Sequence, residues 1–361
     1  MIKNIIRRFL RDDSIQRVRA GLGAIEKAVA KLHSRNAYLA SLYYCFFSGQ
    51  FRREHLAVLQ GRAQYWRALK ETGKSSAMLR RNIHRLEKGL IMRPRKDVFG
   101  ADYILETVQC FSRALEGGHI DSREQMWAAD VLAEYFLVVR ACPKVDTARS
   151  AHEAVIEKHG ESARGKRKSI PYRRGDCAVN TTFEELTALF RRRRSVRWYR
   201  EVEVDAELVR KAIGACSQAP SACNRQPFRF YLTTSKTDAA EIAGYAMGTT
   251  GFADNIPAII VVVGDLSAYP SERDRHVIYI DSSLASMQLM LALETLGLSS
   301  CPINWPDIEK REKMIAKKLG LNYYERPIML LAVGHADPAG GIPYSQKKTD
   351  DLLVKEITDA V

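Results

Sequence analysis

The 361-residue chain lacks the cysteine pattern of a zinc site or a disulfide framework. Its seven cysteines are odd in number and scattered, and no two of them form a CxxC pair, which is typical of reduced thiols in a cytoplasmic protein. The longest apolar run, residues 256–264, has less than half of the roughly 20 residues that a membrane span requires. Near the N-terminus, Arg7, Arg8 and Arg11 interrupt any secretory apolar segment. We therefore expect a cytoplasmic protein.

Several motifs of common enzyme classes are also missing. No GxGxxG follows a strand, and GxSxG, HExxH and paired DxD patterns do not occur. Residues 160–167 approach a P-loop, but Arg167 stands where Ser or Thr would bind Mg²⁺, and no apolar strand precedes it. We therefore expect no metal site and none of the nucleotide-binding or hydrolytic sites that these motifs build.

The excess of positive over negative charge is confined to the first half of the chain. The net charge is +14; residues 1–180 hold 34 Lys and Arg against 19 Asp and Glu, and residues 181–361 hold 22 against 23. Such asymmetry indicates two modules, the first facing a membrane surface, a phosphorylated ligand, nucleic acid or an acidic partner. Nucleic acid is disfavoured, because the basic residues are scattered among apolar helix positions and no nucleic-acid-binding signature occurs. The alternative is a solvated basic surface without a dedicated partner.

The first 160 residues have the spacing of helices. Apolar residues recur at helical intervals over 37–47, 55–69, 78–90, 103–115 and 126–139, and proline occurs only at 94 and 143. The sequence predicts a basic helical domain at 1–163 and a basic linker at 164–180, where RGKRKSIPYRRG has six basic residues in twelve. The apolar stripe of the first helix, residues 2–10, packs on this domain or lies on a membrane as a peripheral anchor.

From residue 181 apolar strands alternate with helices. We expect a helix at 183–190 capped by Thr181 or Thr182, and a second at 206–216 beginning after Asp205. Strands are expected at FRFYLTT, IPAIIVVVGD and PIMLLAVGHAD, and a long buried helix at 277–296. At the start of that helix, Asp281, Ser282 and Ser283 are explained as capping residues. Helices alternating with strands predict an α+β or α/β layer fold.

Two polar loops could carry chemistry. Residues 191–197, RRRRSVR, contain four consecutive arginines and a fifth at position 197. Their like charges repel one another at this spacing unless an anion lies among them, and guanidinium groups bind phosphate bidentately. The alternative is a solvated basic turn. The loop PSACNRQPF, at 220–228, places Ser, Asn and Gln between two prolines, which suits a planar heterocycle with an amide-like edge such as a flavin; the alternative is an ordinary turn.

Together these stretches resemble the FMN-dependent nitroreductase family. RRSVR, APSACNRQPF, IDSSLASMQLMLALETLGLSSCPINW and IPYSQKK occur in the family's order, over residues 185–350. The resemblance implies an α+β, nitroreductase-like FMN-binding fold at 181–361, a central mixed sheet flanked by helices, preceded by the all-α domain. It also implies a homodimer with FMN at the subunit interface.

The resemblance assigns cofactor-binding residues by position. Those matching the family's phosphate, ribityl and pyrimidine contacts are Arg193, Arg194, Ser195 and Arg197. Those matching the loop that comes from the other subunit are Pro220, Ser221, Ala222, Asn224 and Gln226. Those matching the stretch near flavin N5 are Pro302, Ile303, Asn304 and Trp305, and the basic pair matching the end of the phosphate site is Lys347 and Lys348. Many relatives have glycine near N5, whereas Asn304 and Trp305 are bulkier, so the resemblance does not determine whether a substrate can reach the ring. The alternative for Trp305 is an aromatic residue of the core or of an interface.

The implied activity is ping-pong hydride transfer from NADH or NADPH, through flavin N5, to a small-molecule acceptor. The segment NIHRLEKGLIMRPRKDVFG, at 82–100, is dense in basic and apolar residues, which indicates a site for an anionic substrate or for a partner that covers the flavin; a helix end with a basic loop is the alternative. Nitroreductase-like chains with an HRLEKGL segment, as found here, also resemble the products of bacterial surface-polysaccharide gene clusters. No side chain is identified as a catalytic acid or base. The alternative function is a non-catalytic flavin-binding or scaffold protein whose basic domain docks on a membrane surface or a protein partner.

Overall fold

The computed structural model describes residues 12–68, 73, 75–176 and 179–357. The predicted apolar stripe at residues 2–10 and Cys177 lie outside the described residues. Spatial contacts divide the chain into two compact units, residues 1–56 and residues 57–361. The predicted domain boundaries at 163 and 180 are a separate division and stay a prediction.

The first unit contains helices α1 (Asp12–His33) and α2 (Ala37–Phe46) and the start of α3 (Arg52–Ala68). Asn36 caps α2, since its side-chain oxygen accepts a hydrogen bond from the N–H of Leu39 at 3.0 Å. The ring of Phe47 contacts those of His33 and Tyr43, with centroids 5.4 and 6.1 Å away. Aromatic contacts thus join the end of α1 to α2.

In the second unit, a helical bundle comes first. It consists of α4 (Ala77–Leu90), α5 (Ile104–Glu116), α6 (Ser122–Val138) and α7 (Pro143–His159). Leu79, Ile83, Phe111 and Leu132 are fully buried in its core. The helices predicted from apolar spacing are confirmed, because one face of each carries the residues that the bundle buries.

The sheet region follows the bundle. Its elements are α8 (Phe183–Arg192), α9 (Ala206–Cys216), β1 (Phe228–Thr233), α10 (Lys236–Tyr245), β2 (Ala258–Asp265), α11 (Val277–Thr295), β3 (Ser299–Asn304), α12 (Glu309–Leu319), β4 (Glu325–Gly334) and α13 (Asp350–Leu353). The strands pair antiparallel in the order β1-β2-β4-β3. Among the described residues, parallel pairing is limited to an isolated bridge between Ser195 and Ser300 of β3. The sheet is therefore mixed at its β3 edge alone.

Strand β2 separates two cores. Ile259 and Val261 pack with Ile242 of α10 on one face, and Ile260 and Val262 pack with Leu289 of α11 on the other. Since successive side chains of a strand point to opposite faces, a strand buried on both sides reads as one continuous apolar run. The α+β class and the three predicted strands are confirmed.

Strand β3 was not predicted. Its sequence, SSCPIN, contains two serines and a proline and therefore reads as a loop. In the sheet order β3 is an edge strand, and an edge position tolerates Pro302, which has no N–H to donate. The pairing with β4, in which Cys301 lies opposite Ala332, makes this segment a strand.

The helices before the sheet region dock closely on it and on one another. A Cβ at Gly61 of α3 would lie 2.7 Å from the Cβ of Leu266, so glycine allows this contact. The carboxylate of Asp130, on α6, accepts four backbone N–H bonds of 2.5 to 3.0 Å from residues 166–169. The first part of the basic segment is therefore tied to α6.

One described segment, Glu272–Thr295, is long and apolar enough for a membrane span by length and composition alone. It contains α11, whose residues Ala285, Leu289 and Leu293 are fully buried in the core beneath β2. The buried core helix of a layered fold meets the same criteria of length and composition.

Candidate functional site

The loop at residues 220–227 has an unusual backbone. Cys223, Asn224 and Gln226 have positive φ angles of 53°, 51° and 49°. Non-glycine residues avoid this left-handed region, at a cost of roughly 1–2 kcal/mol each, with asparagine the most tolerant. Contacts from outside the loop must therefore hold its shape.

One of these contacts comes from Asp281, and it corrects the capping interpretation. Helix α11 begins at Val277 after His276, so Asp281 lies one turn inside it, 3% exposed. Its Oδ2 accepts hydrogen bonds from the backbone N–H of Ala222 at 2.9 Å and from the hydroxyl of Tyr269 at 3.5 Å. Burial raises the pKa of this carboxyl. Asp281 therefore positions the loop and does not cap the helix.

Two predicted loop residues use their polar groups within the chain. The Oγ of Ser221 accepts from the N–H of Gln226 at 3.1 Å. The side-chain amide of Gln226 donates to the carbonyl of Ser217 at 2.9 Å and accepts from Arg80 at 3.3 Å. These hydrogen bonds stabilise the loop within its own chain.

Sequence reasoning missed two residues of the bundle: Arg80, which contacts this loop, and Glu124, which pairs with Arg80. The Nε of Arg80 donates to the carbonyl of Asn224 at 2.9 Å, and Glu124 forms an ion pair with the same guanidinium at 2.9 Å. No local signal marks them, because Arg80 is separated from Asn224 by 144 positions. His84, in the same helix as Arg80, is hydrogen-bonded to Glu87 at 3.2 Å.

Three of the predicted phosphate residues, Arg193, Arg194 and Lys347, line one cavity. Its volume is about 420 Å³, and its lining residues are Phe190, Arg191, Arg193, Arg194, Tyr344, Ser345, Gln346 and Lys347. The side chain of Arg194 donates to the carbonyls of Pro343 and Tyr344, which brings the C-terminal tail against the arginines. Lys348 is exposed beside Lys347. The structure thus brings Arg193, Arg194 and Lys347 together.

Within this cavity region, Arg193 has unused hydrogen-bonding capacity. Its Nε is buried and finds no hydrogen-bond partner among the described residues. A buried donor without a partner costs about 1–3 kcal/mol, which an anion in the cavity would recover. The donor set, all guanidinium and ammonium groups, fits a phosphate group. Among the described residues, no cluster of His, Cys, Asp or Glu is arranged to hold a metal ion.

Ser195 and Arg197 continue from this cluster along the sheet edge. Next to Ser195, the N–H of Val196 donates to the carbonyl of Ser300 at 3.1 Å. The guanidinium of Arg197 lies 5.8 Å from the ring centroid of Phe252 and donates to the carbonyl of Ser195 at 3.4 Å. This pairing places the arginine-rich segment beside β3.

The predicted residues at 302–305 lie in β3 and just after it. Pro302 is half-buried, Ile303 is buried and Asn304 is exposed. Trp305 is only 8% exposed, and its indole N–H donates to Glu312 at 2.9 Å. The bulk of Trp305 therefore lies in the core of its own chain, and Asn304 alone of this pair presents a side chain to the surface.

The two halves of the predicted site lie near opposite ends of α11. Asp281 holds the loop near the start of the helix, whereas Glu294 pairs with Arg192, beside the arginine cavity, at 3.4 Å. These two acidic residues are thirteen positions apart on α11, which corresponds to about 20 Å at 1.5 Å per residue. Within one chain the loop and the arginines are therefore well separated.

Known proteins are similar in sequence and in structure to part of this chain. A model of the nitroreductase family matches residues 190–250 and 239–335. The Bacillus subtilis protein YdgI, whose name describes an NAD(P)H nitroreductase, is 30% identical over 190 residues, which span 42% of this chain and 88% of YdgI. An Archaeoglobus fulgidus protein, named as an NADH dehydrogenase/NAD(P)H nitroreductase, is 30% identical over 141 residues, 38% of this chain and 78% of that protein.

Solved structures are also similar. A nitroreductase family protein of Streptococcus pneumoniae TIGR4 has 23% identity and a TM-score of 0.41, over 47% of this chain and 99% of its own. An FMN-dependent nitroreductase of Clostridium difficile R20291 has 24% identity and a TM-score of 0.41, over 48% and 99%. The extent of the YdgI match, together with the family model, establishes that the chain belongs to the nitroreductase family.

Proposed function

We propose that this protein is an FMN-dependent NAD(P)H oxidoreductase acting on a small-molecule acceptor. The observation that carries the proposal is a cavity lined by Arg193, Arg194 and Lys347, together with the buried Nε of Arg193, which has no hydrogen-bond partner among the described residues. Relatives named as NAD(P)H nitroreductases, and a similar structure named as FMN-dependent, support it. When bound, FMN would accept a hydride from NADH or NADPH and pass it to the acceptor in ping-pong turnover.

This chain's residues would bind and orient that cofactor. Arg193, Arg194 and Lys347 hold its phosphate by charge-assisted hydrogen bonds. The loop at 220–227 offers the apolar surfaces of Pro220 and Ala222 on a backbone already hydrogen-bonded to Asp281. Because the loop is ordered before binding, less conformational entropy is lost when a flat ring system contacts it.

A homodimer is part of the proposal. The loop and the arginines are about 20 Å apart along α11, so a second copy would bring the loop of one subunit to the arginines of the other. Helix α11 also presents an apolar stripe at helical spacing, Ile280, Leu284 and Met287, which are 57%, 43% and 39% exposed in the single chain. On α8, Phe183, Leu186 and Phe190 form a similar exposed stripe. Exposed apolar patches of this kind are typical of subunit interfaces.

Of the two bulky residues that would favour the non-catalytic alternative, Asn304 is exposed and Trp305 is buried. A bulky Trp305 over the flavin ring would block hydride transfer, but its indole is buried and bound to Glu312 in its own chain. An anionic acceptor, and one from surface-polysaccharide metabolism, remain predictions from the basic segment at 82–100.

The test is the absorbance spectrum of the purified full chain, with the released chromophore identified by chromatography. We expect yellow protein that releases FMN and bleaches anaerobically with NADH or NADPH. FMN that stays oxidised with both nicotinamides would contradict NAD(P)H-dependent activity. Colourless protein that also fails to bind added FMN would overturn the proposal and favour a scaffold function.

A further inference from the structure

We propose that Arg80, in the helical bundle, is a positioning residue for the cofactor loop at 220–227. This inference rests on the proposed function, because it assigns to the bundle a task in FMN binding. Arg80 acts through the loop and is not itself a cofactor ligand.

The guanidinium of Arg80 binds the loop at two points. Its Nε donates to the backbone carbonyl of Asn224 at 2.9 Å, and its Nη2 donates to the Oε1 of Gln226 at 3.3 Å. Asn224 and Gln226 are two of the three loop residues with positive φ. Arg80 thus binds the part of the loop whose backbone is least favourable by itself.

Residues of α6 hold Arg80 itself in place. Its Nη1 forms an ion pair of 2.9 Å with the Oε2 of Glu124, and its guanidinium lies 5.3 Å from the ring centroid of Trp127. Glu124 is 5% exposed and accepts further hydrogen bonds from the N–H of Ser76 at 2.9 Å and the hydroxyl of Ser75 at 2.6 Å. A side chain fixed in this way loses little entropy on binding the loop.

The shape of the guanidinium group suits this contact. One planar guanidinium serves three acceptors on two elements, which a lysine ammonium on its flexible stem cannot reproduce in the same directions. Because Glu124 balances its charge, Arg80 affects the loop through geometry more than through electric field. The loop backbone is therefore hydrogen-bonded both to Asp281 of the sheet region and to Arg80 of the bundle.

The experiment compares Arg80→Ala with Arg123→Ala in the full chain. Arg123 is exposed on α6, outside the basic segment at 82–100, and serves as the control. Hydrogen exchange of peptides covering 220–227 is measured without cofactor, and the affinity for added FMN is measured by quenching of flavin fluorescence. We expect Arg80→Ala to speed exchange of the loop amides and to weaken FMN binding at least tenfold, while the control matches the wild type. Arg80→Lys should recover only part of the affinity.

Glu124→Gln gives a second route if Arg80→Ala does not fold. It retains the shape of the side chain but replaces one acceptor oxygen with a donor, which weakens its hold on Arg80 and on one of the two serines that it also accepts from, so a smaller change in the same direction is expected. Folded variants with wild-type loop exchange and wild-type FMN affinity would overturn the inference. If the wild type binds no FMN, the proposed function fails, and loop exchange alone still decides whether Arg80 positions the loop.

Discussion

The carboxylate of Asp281 and the backbone N–H of Ala222 are joined by a hydrogen bond of 2.9 Å across 59 positions of the sequence. Asp281→Ala removes the acceptor and leaves that N–H without a partner, so we expect a loss of about 1–3 kcal/mol in the free energy of unfolding and weaker FMN binding. Asp281→Asn retains an oxygen acceptor and avoids a buried charge, and it should lose much less. Urea unfolding and FMN titration of both variants check this. Equal losses in the two variants would contradict the assigned role.

Arg193→Gln should weaken FMN binding roughly 10- to 100-fold, since hydrogen bonds to charged groups contribute about 1.5–3 kcal/mol. Riboflavin, which has no phosphate, should bind the variant and the wild type equally. Arg210→Gln is the control, because Arg210 forms an exposed ion pair with Glu207 on α9. The two flavins are compared by fluorescence titration. A parallel loss for riboflavin would show that Arg193 does not act on the phosphate.

Met287→Glu should dissociate the proposed dimer, because it places a charge in the apolar stripe of α11. Met314→Glu, on α12, is a matched control, since both methionines are 39% exposed in the single chain. Light scattering after size exclusion gives the mass of each species. Loss of FMN together with the dimer is expected if both subunits form the site. A wild type that is monomeric at all concentrations would rule out this part of the proposal.

Asp130→Asn should release the basic segment after α7 from α6. Burial alone would raise the pKa of Asp130, but four backbone N–H bonds outweigh it and hold the pKa below its usual range. An amide replaces one acceptor oxygen with a donor, so some of these bonds are lost. Trypsin should then cut the variant rapidly at residues 164–174, where Lys and Arg are dense. Asp121→Asn, a cap replacement on the same helix, should leave the cleavage rate unchanged.

His152 should make stability depend on pH. Burial lowers its pKa to about 4, so between pH 4 and 6.5 the unfolded chain binds a proton that the folded chain does not. Stability is then lost as pH falls through this window, by about 2 kcal/mol between pH 7 and 5. His152→Leu should reduce this loss, and His119→Leu, at an exposed histidine, should not. Urea unfolding at both pH values measures it, and an unchanged loss in His152→Leu would refute it.

Local patterns in the sequence were enough to predict most elements. Apolar spacing predicted the bundle helices, because the face that a helix buries is set by its own 3.6-residue period. Thr182 caps α8, with Glu185 completing a capping box, and Asp205 caps α9, as local hydrogen-bonding rules predict. The run AIIVVV predicted a strand buried on both faces.

The remaining features depend on contacts between segments that are distant in the sequence, so only the tertiary structure decided them. Strand β3 exists because β4 pairs with it, Asp281 acts on a loop far away in sequence, and Arg80 reaches Asn224 from another part of the chain. The sequence by itself determined the elements and their apolar faces, through short-range spacing. Only the docking of those elements decided which buried carboxylate meets which N–H, since such a bond depends on the position and direction of both partners in space.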